Sequence, residues 1–283
     1  MRGQARLGEE KISKLLMEFS IPAIIGMVVN TLYNIVDRMY IGNIKDIGGL
    51  ALTGVGITMP IMTIIMAFGM LIGIGTSARI SLKLGEHKRE EAEKHLGNAF
   101  TLIIIASVLI TIIGLVFMHK ILGLFGASAD TEVYAREYMQ IIFFGTIFNM
   151  LSFGLNHSIR SDGSPKVAML SMLIGAGTNI ILDPIFIFVF GMGVRGAAIA
   201  TVISQIVSTI WILYYFTKGK SNLKIKREYL SLDKAIVLSI FSIGVSPFSM
   251  QIAQSIVQVL ANNALKTYGG DLAIGAMTII NSV

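Results

Sequence analysis

Two carboxylates stand where carboxylates are expensive. Asp37 and Asp183 each interrupt a mostly apolar stretch long enough to cross a bilayer. An ionised Asp at mid-bilayer costs about 2.5–3.5 kcal/mol on insertion scales. Both acids are backed by amides at helical spacing. Asn30, Asn34 and Asp37 fall at i, i+4 and i+7 and share one face, with Tyr33 at its edge. Asn179 precedes Asp183 by four residues, and Pro184 follows it directly. A proline lacks an N–H, so Pro184 should bend the helix and free a carbonyl near the acid. Such a carboxyl group can hold a proton, a sodium ion or an organic cation, one at a time. Two acids on amide-backed faces therefore predict a cavity that binds cations. Exclusive occupancy would suffice for exchange, because each state of the acid favours a different helix arrangement.

Further polar stripes accompany the acids. Asn149, Ser152 and Asn156 form one. Thr201, Ser204, Gln205 and Ser208 form a second, and Gln251, Gln254 and Gln258 a third. On spanning helices such side chains also serve as glue between helices. Asp37 admits an interfacial reading in which it merely pairs with Arg38. Asp183 has no basic neighbour within its helix.

The elements that must position these groups are membrane helices. Of 283 residues, 54% are hydrophobic and only 14% charged, against roughly 25% in an ordinary soluble domain. The mean hydropathy is +0.73. This composition excludes a soluble enzyme and a disordered segment. The net charge is +6, but the basic residues cluster between apolar runs, so nucleic acid is not an expected partner. Cysteine is absent, which removes disulfides and thiolate metal sites. Apolar runs near 19–41, 50–78, 97–118, 136–157, 166–190, 196–216 and 235–264 predict seven spanning helices. An eighth begins near Leu272. The closing "GAMTIINSV" carries no cap, no Gly or Pro stop and no basic flank, and reads as a truncation inside that helix. The first run is too long for a signal peptide and leads straight into a second span.

Charge sets the expected orientation. The N-terminus, with Arg2, Arg6, Lys11 and Lys14, and the even-numbered loops hold 17 Lys and Arg; the other side holds 6. The positive-inside rule places the N-terminus in the cytoplasm of a multi-pass cell-membrane protein. "KLGEHKREEAEKH" reads as a short amphipathic surface helix and a solvated connector. "KGKSNLKIKREYLSLDK" is the longest polar stretch between spans. It divides the chain into an N-lobe (1–217, helices 1–6), an inter-lobe loop (218–234) and the start of a C-lobe (235–283). "FSIP" at 19–22 recurs as "FSIG" at 241–244, and the same offset of 222 carries Gly48, Leu50 and Ala51 onto Gly270, Leu272 and Ala273. Two repeated six-helix lobes are a common transporter plan. Gly69 and Gly73 form a GxxxG, which with "GMGVRGAAIAT" predicts close helix packing. Pro22 marks a hinge or a static kink in the first helix.

The order and spacing of these strings carry a family resemblance. "FSIPAIIGMVVNTLYNIVDRMYIG", "KLGEHKREEAEKHLGNAF", "RSDGSPKVAM" and above all "NIILDPIFIFVFGMGVRGAAIATVISQ" resemble the multidrug and toxic compound extrusion (MATE) transporters along nearly the whole chain. The similarity is to the branch of DNA-damage-inducible prokaryotic members and to Gram-positive multidrug members. It implies twelve helices in two lobes arranged as a V, and export of amphipathic organic cations driven by inward proton or sodium flow. It implies that Asp37, Asn179, Asp183 and Thr201 carry the coupling ion, a proton or a sodium ion, with no other cofactor. It implies a helix bend at Pro22, and a drug cavity lined by Asn30, Tyr33, Asn34, Asn149 and Met172. One departure stands out: another branch places a coupling Glu on helix 7, where this chain has glutamines. A monomer in the lipid bilayer is the expected state.

Other functions are weighed on the same residues. A flippase for lipid-linked saccharides or another large amphiphile would want a basic cavity, and the spans contain almost no Lys or Arg. An intramembrane aspartyl protease resembles Tyr-Asp and Gly-x-Gly-Asp pairs; here Asp37 follows Val36, Asp183 follows Leu182, and "YGGD" at 268–271 lacks the first Gly. No GxSxG, HExxH or P-loop supports hydrolysis. A passive channel would show no gradient-dependent exchange. The 16 methionines suit an adaptable binding wall or ordinary packing equally.

Overall fold

A computed structural model of the protein describes residues 11–281. Arg2 and Arg6, and Ser282 and Val283 of the closing string, lie outside the described residues. Among the described residues, seven helices are long and apolar enough to cross a membrane. They are α1 (Ile12–Gly42), α2 (Gly48–Gly85), α3 (Arg89–Leu124), α4 (Ala129–Ser161), α5 (Pro165–Pro184), α6 (Gly193–Thr217) and α7 (Lys234–Ile280). No strand occurs among the described residues. The chain passes to and fro between two faces. The near face carries the start of α1, the α2–α3 and α4–α5 turns and the end of α6. The far face carries the α1–α2, α3–α4 and α5–α6 turns.

The helices run past the apolar stretches because charged ends extend them. "KLGEHKREEAEKH" is not a separate surface helix. α2 continues to Gly85 and α3 begins at Arg89, with His87 at φ 59° in the turn between them. Helical pairs stabilise the start of α3: Lys94 meets Glu90 at 2.9 Å, and Arg89 meets Glu93 at 3.4 Å. Nor is the segment merely a solvated connector, since Glu93 and His95 are buried.

Small residues bring the helices together. A Cβ at Gly73 would lie 2.8 Å from the Gly154 backbone, so α2 and α4 touch main chain to main chain. Gly75 and Gly244 likewise admit the backbones of Ile240 and Leu71, seating α7 along α2. α7 reverses at Gly270, whose φ of 70° and ψ of −174° leave the helical region. Before it, residues run antiparallel to α2, with Ser255 donating to the Pro60 carbonyl at 3.0 Å. After it they run parallel, with Leu272 beside Gly49 and Gly275 beside Thr53. This break corresponds to the expected start of an eighth helix. At the far face, Asn263 and Lys266 donate to the Leu124 and Ala127 carbonyls at 2.9 and 2.6 Å.

The segment between α6 and α7 is a strap fastened across the near face. The buried Asp162 carboxylate accepts the Tyr215 hydroxyl at 2.5 Å and the backbone N–H groups of Asn222 at 3.0 Å and Leu223 at 3.2 Å. Leu223 is fully buried. Glu93 accepts the Lys224 N–H at 3.2 Å and pairs with Lys226 at 2.7 Å. Thr101 donates to the Leu230 carbonyl at 2.8 Å, and the Asp233 N–H reaches Asn98 at 2.8 Å. Removing the Asp162 carboxylate would orphan two backbone donors, at about 1–3 kcal/mol each. Asp162→Ala is therefore expected to speed tryptic cleavage after Lys224 or Lys226 by about tenfold or more. Unchanged protection would mean that Glu93 and Leu223 hold the strap without it.

Candidate functional site

The two intramembrane acids meet. α1 packs chiefly along α5, and α5 against α6. Gly196 makes the second approach possible, since a Cβ there would lie 2.7 Å from the Phe186 carbonyl carbon. Asp37, Asn179, Asp183 and Thr201 are 5%, 1%, 0% and 7% exposed, so all four are cut off from bulk solvent. The Asn179 amide donates to Asp183 Oδ1 at 3.1 Å and to Thr201 Oγ1 at 3.4 Å. The Asp37 and Asp183 carboxyl groups lie against each other. Pro184 does more than bend the helix. Past it the chain makes a wider, π-type turn at Ile185–Val189, with Phe190 N–H on the Ile185 carbonyl at 2.9 Å. Such turns recur at functional sites.

The cluster is rich in oxygen and poor in donors. Asp37 Oδ1, Asn179 Oδ1 and Asp183 Oδ2 are buried without a hydrogen-bond partner. Buried polar atoms are normally satisfied, and each exception calls for a reason. Two carboxylates, an amide oxygen and the Thr201 hydroxyl form a hard-oxygen set suited to a proton or an alkali cation rather than to a soft metal. No group of three His, Cys, Asp or Glu able to hold a metal occurs among the described residues.

The other site residues separate from this cluster to different degrees. Tyr33 is within electrostatic reach of Asp37, Arg38 and Asp183. Arg38 does not form an ion pair with Asp37. It donates to the Asn34 carbonyl at 2.9 Å and to Asn34 Oδ1 at 3.3 Å, because consecutive residues diverge on a helix. Asn34 in turn donates to the Asn30 carbonyl at 2.7 Å, and Asn30 is exposed. Asn149 is half-buried on α4, its carbonyl accepting Ser152 at 3.0 Å. Met172 precedes Asp183 by eleven residues, about 16 Å along α5. It lies beside Gly26, where a Cβ would come within 2.8 Å of its sulfur. Pro22 is buried within an unbroken α1. On α7, Gln258 accepts Thr63 at 3.2 Å, which is helix-to-helix glue.

Two residues escape a reading of the sequence. Tyr138 of α4 is 5% exposed and within electrostatic reach of Asp37, Tyr33 and Asp183. A tyrosine on a spanning helix resembles any packed aromatic, and only the direction of α4 reveals it. Arg160, counted with the loop after α4, folds back into the bundle instead, with Nη2 3.7 Å from Met172 Sδ.

Comparison with known proteins places the helical fold among transporters. A family model described as MatE matches residues 22–185. The multidrug export protein MepA of Staphylococcus haemolyticus is 32% identical over 92% of this chain. The chain spans 57% of that relative's length. Among solved structures, the MATE multidrug transporter DinF-BH in complex with R6G is 38% identical. It superposes with a TM-score of 0.93, over 100% of this chain and 63% of its own. The outward-facing conformation of a multidrug resistance MATE family transporter of the MOP superfamily is 30% identical, with a TM-score of 0.84. That match covers 98% of this chain and 61% of the other.

Two facing carboxylates with unpartnered oxygens should cost stability when no cation offsets them. Asp183→Asn keeps an acceptor for Asn179 and removes one charge. Purified in detergent at pH 8 without added sodium, this variant is expected to unfold at a higher temperature, a gain of about 1–3 kcal/mol. A loss of similar size would mark the pair as structural.

Proposed function

The chain belongs to the MatE family, and on that premise we propose that it forms part of a secondary active multidrug efflux antiporter. Its cargo is the class of amphipathic organic cations, exchanged for protons or sodium ions by alternating access. The family is one of transporters, not enzymes, and seven apolar helices make this a multi-pass membrane protein.

The observation that carries the proposal is the set of unpartnered oxygens on Asp37, Asn179 and Asp183. An incoming cation or proton would satisfy them, and its departure would leave two carboxylates repelling each other. That difference in free energy between the loaded and empty site is what a transporter needs to favour one arrangement over another. Thr201 adds a fourth oxygen. Tyr33 and Tyr138 border the site and would hold the acids in place. In this reading the near face is cytoplasmic, in keeping with the charge bias. One copy suffices, because both acids come from one chain. Asn30, Asn34, Asn149 and Met172 would offer contacts to the organic cargo away from the acids, and Pro22 would take up bending of α1.

A second reading keeps the fold and changes the cargo. A flippase for lipid-linked saccharides or another large amphiphile would use a basic group in its cavity. The spans were expected to contain almost none, yet Arg160 points into one.

The test uses the protein in liposomes with a fluorescent organic cation, under an imposed proton gradient and then a sodium gradient. Gradient-driven movement that falls at least about 100-fold in Asp183→Asn is expected. Undiminished export by the variant would sink the coupling assignment. No movement under either gradient would favour the flippase reading.

A further inference from the structure

α7 enters the bundle at the near face, and its seat there is narrow. Gly75 of α2 admits the Ile240 backbone, and Ile240 is fully buried. One residue earlier, Ser239 is held from two helices. Arg79 of α2 donates from Nε to the Ser239 carbonyl at 3.2 Å and from Nη2 to the Ser242 hydroxyl at 3.4 Å. His95 of α3 brings Nε2 to 3.3 Å from the Ser239 hydroxyl. Of these groups only the imidazole changes its charge between about pH 5 and 8.

The contacts of His95 assign its protons. Nδ1 lies 2.8 Å from the Glu91 carbonyl, which can only accept, so Nδ1 carries the hydrogen of the neutral ring. Nε2 is then an acceptor facing the Ser239 hydroxyl. That hydroxyl also lies 2.8 Å from the Ile236 carbonyl and can turn from it to the ring. Both nitrogens of the neutral imidazole are thereby satisfied.

A second proton undoes this arrangement. It would sit on Nε2, ending the acceptor role, and make a cation of a side chain only 6% exposed. From α2, Arg79 and Lys83 confront that cation with like charge. From α3, Glu91 is the carboxylate within reach, and it already pairs with Lys83 at 2.7 Å. From α7 comes the uncharged Ser239. An imidazolium can still donate to the Ser239 oxygen, but one hydrogen bond does not offset burial beside two cations. The seat therefore favours the neutral ring. With α7 lifted away, the ring would meet water and titrate near its ordinary value of about 6.5. Docking is then at full strength above that value and weakens as pH falls through it.

We propose that His95 is a pH-sensitive clasp at the near face: neutral, it holds the start of α7 against α2 and α3, and protonated, it lets go. The clasp is separate from the acid pair, which lies toward the far face, Asp37 being five residues from the end of α1. It would answer to the pH of the opposite side. In the reading above that side is the cytoplasm, where inward proton flow would raise the proton concentration at the clasp. This last sense rests on the antiport reading; the clasp itself does not.

The test follows backbone hydrogen exchange at residues 237–242 in the protein purified in maltoside micelles, with rates corrected for the intrinsic effect of pH. No gradient or cargo is needed. Protection of these amides is expected to fall about tenfold between pH 7.5 and 5.5, the linkage limit for one group released near 6.5. His95→Gln and His95→Asn, two neutral replacements of different length, should each hold protection constant over that range. Their unfolding temperatures at pH 7.5 check that both are folded. His157→Gln should keep the tenfold fall. Protection that is unchanged or rises on acidification in the unsubstituted protein would overturn the proposal. So would a fall that survives in either folded His95 variant, or one that disappears in His157→Gln. Failure of gradient-driven transport with this pH response intact would discard the antiport reading alone.

Discussion

A charge withdrawn from water must find compensation, and inside a bilayer the choices are few. Asp183 is fully buried on α5 and receives one hydrogen bond, from Asn179. Its second oxygen receives none, and neither does Asp37 Oδ1 across the helix boundary. Much of the first bundle can be understood as what brings these two groups together and keeps them dry. Gly196 lets α6 close on the turn after Pro184, and Thr201 comes to Asn179 from that helix. Tyr138 of α4 is buried within electrostatic reach of both acids. A fold satisfied in all its polar contacts would have no reason to respond to an ion.

The large features of this arrangement were legible in the amino acids, for physical reasons. Long apolar runs specify helices, and carboxylates within them are rare enough to mark a site. The limits were those of one-dimensional information. The charged string at 83–95 suggested a separate helix, because amphipathic spacing does not reveal that Lys94–Glu90 and Arg89–Glu93 pairs belong to the first turns of α3. Tyr138 carries no mark in the sequence, since nothing there shows that α4 brings it within electrostatic reach of the acids. Arg160 was assigned to a loop because its place in the sequence does not show which way its side chain turns. Asp162 carries no signal in the sequence, since its partners lie 53 to 61 residues later.

The strap across the near face bears on how the molecule is assembled. Asp162 and Glu93 leave the ribosome 60 and 131 residues before the Asn222 and Lys224 amides they will hold. Until then both carboxylates are at the membrane surface, where water can hydrate them. Six helices can therefore gather first, with two hydrated anchor points exposed at their rim. The strap then docks by exchanging water for backbone amides, and it delivers the start of α7 beside Arg79, which donates to the Ser239 carbonyl at 3.2 Å. From that fixed point α7 can extend along α2 in the one direction that brings its Gly244 past Leu71 and its Ile240 past Gly75. Synthesis order and contact order thus agree. A chain whose strap failed to dock would leave α7 to find α2 by search within the membrane rather than by continuation.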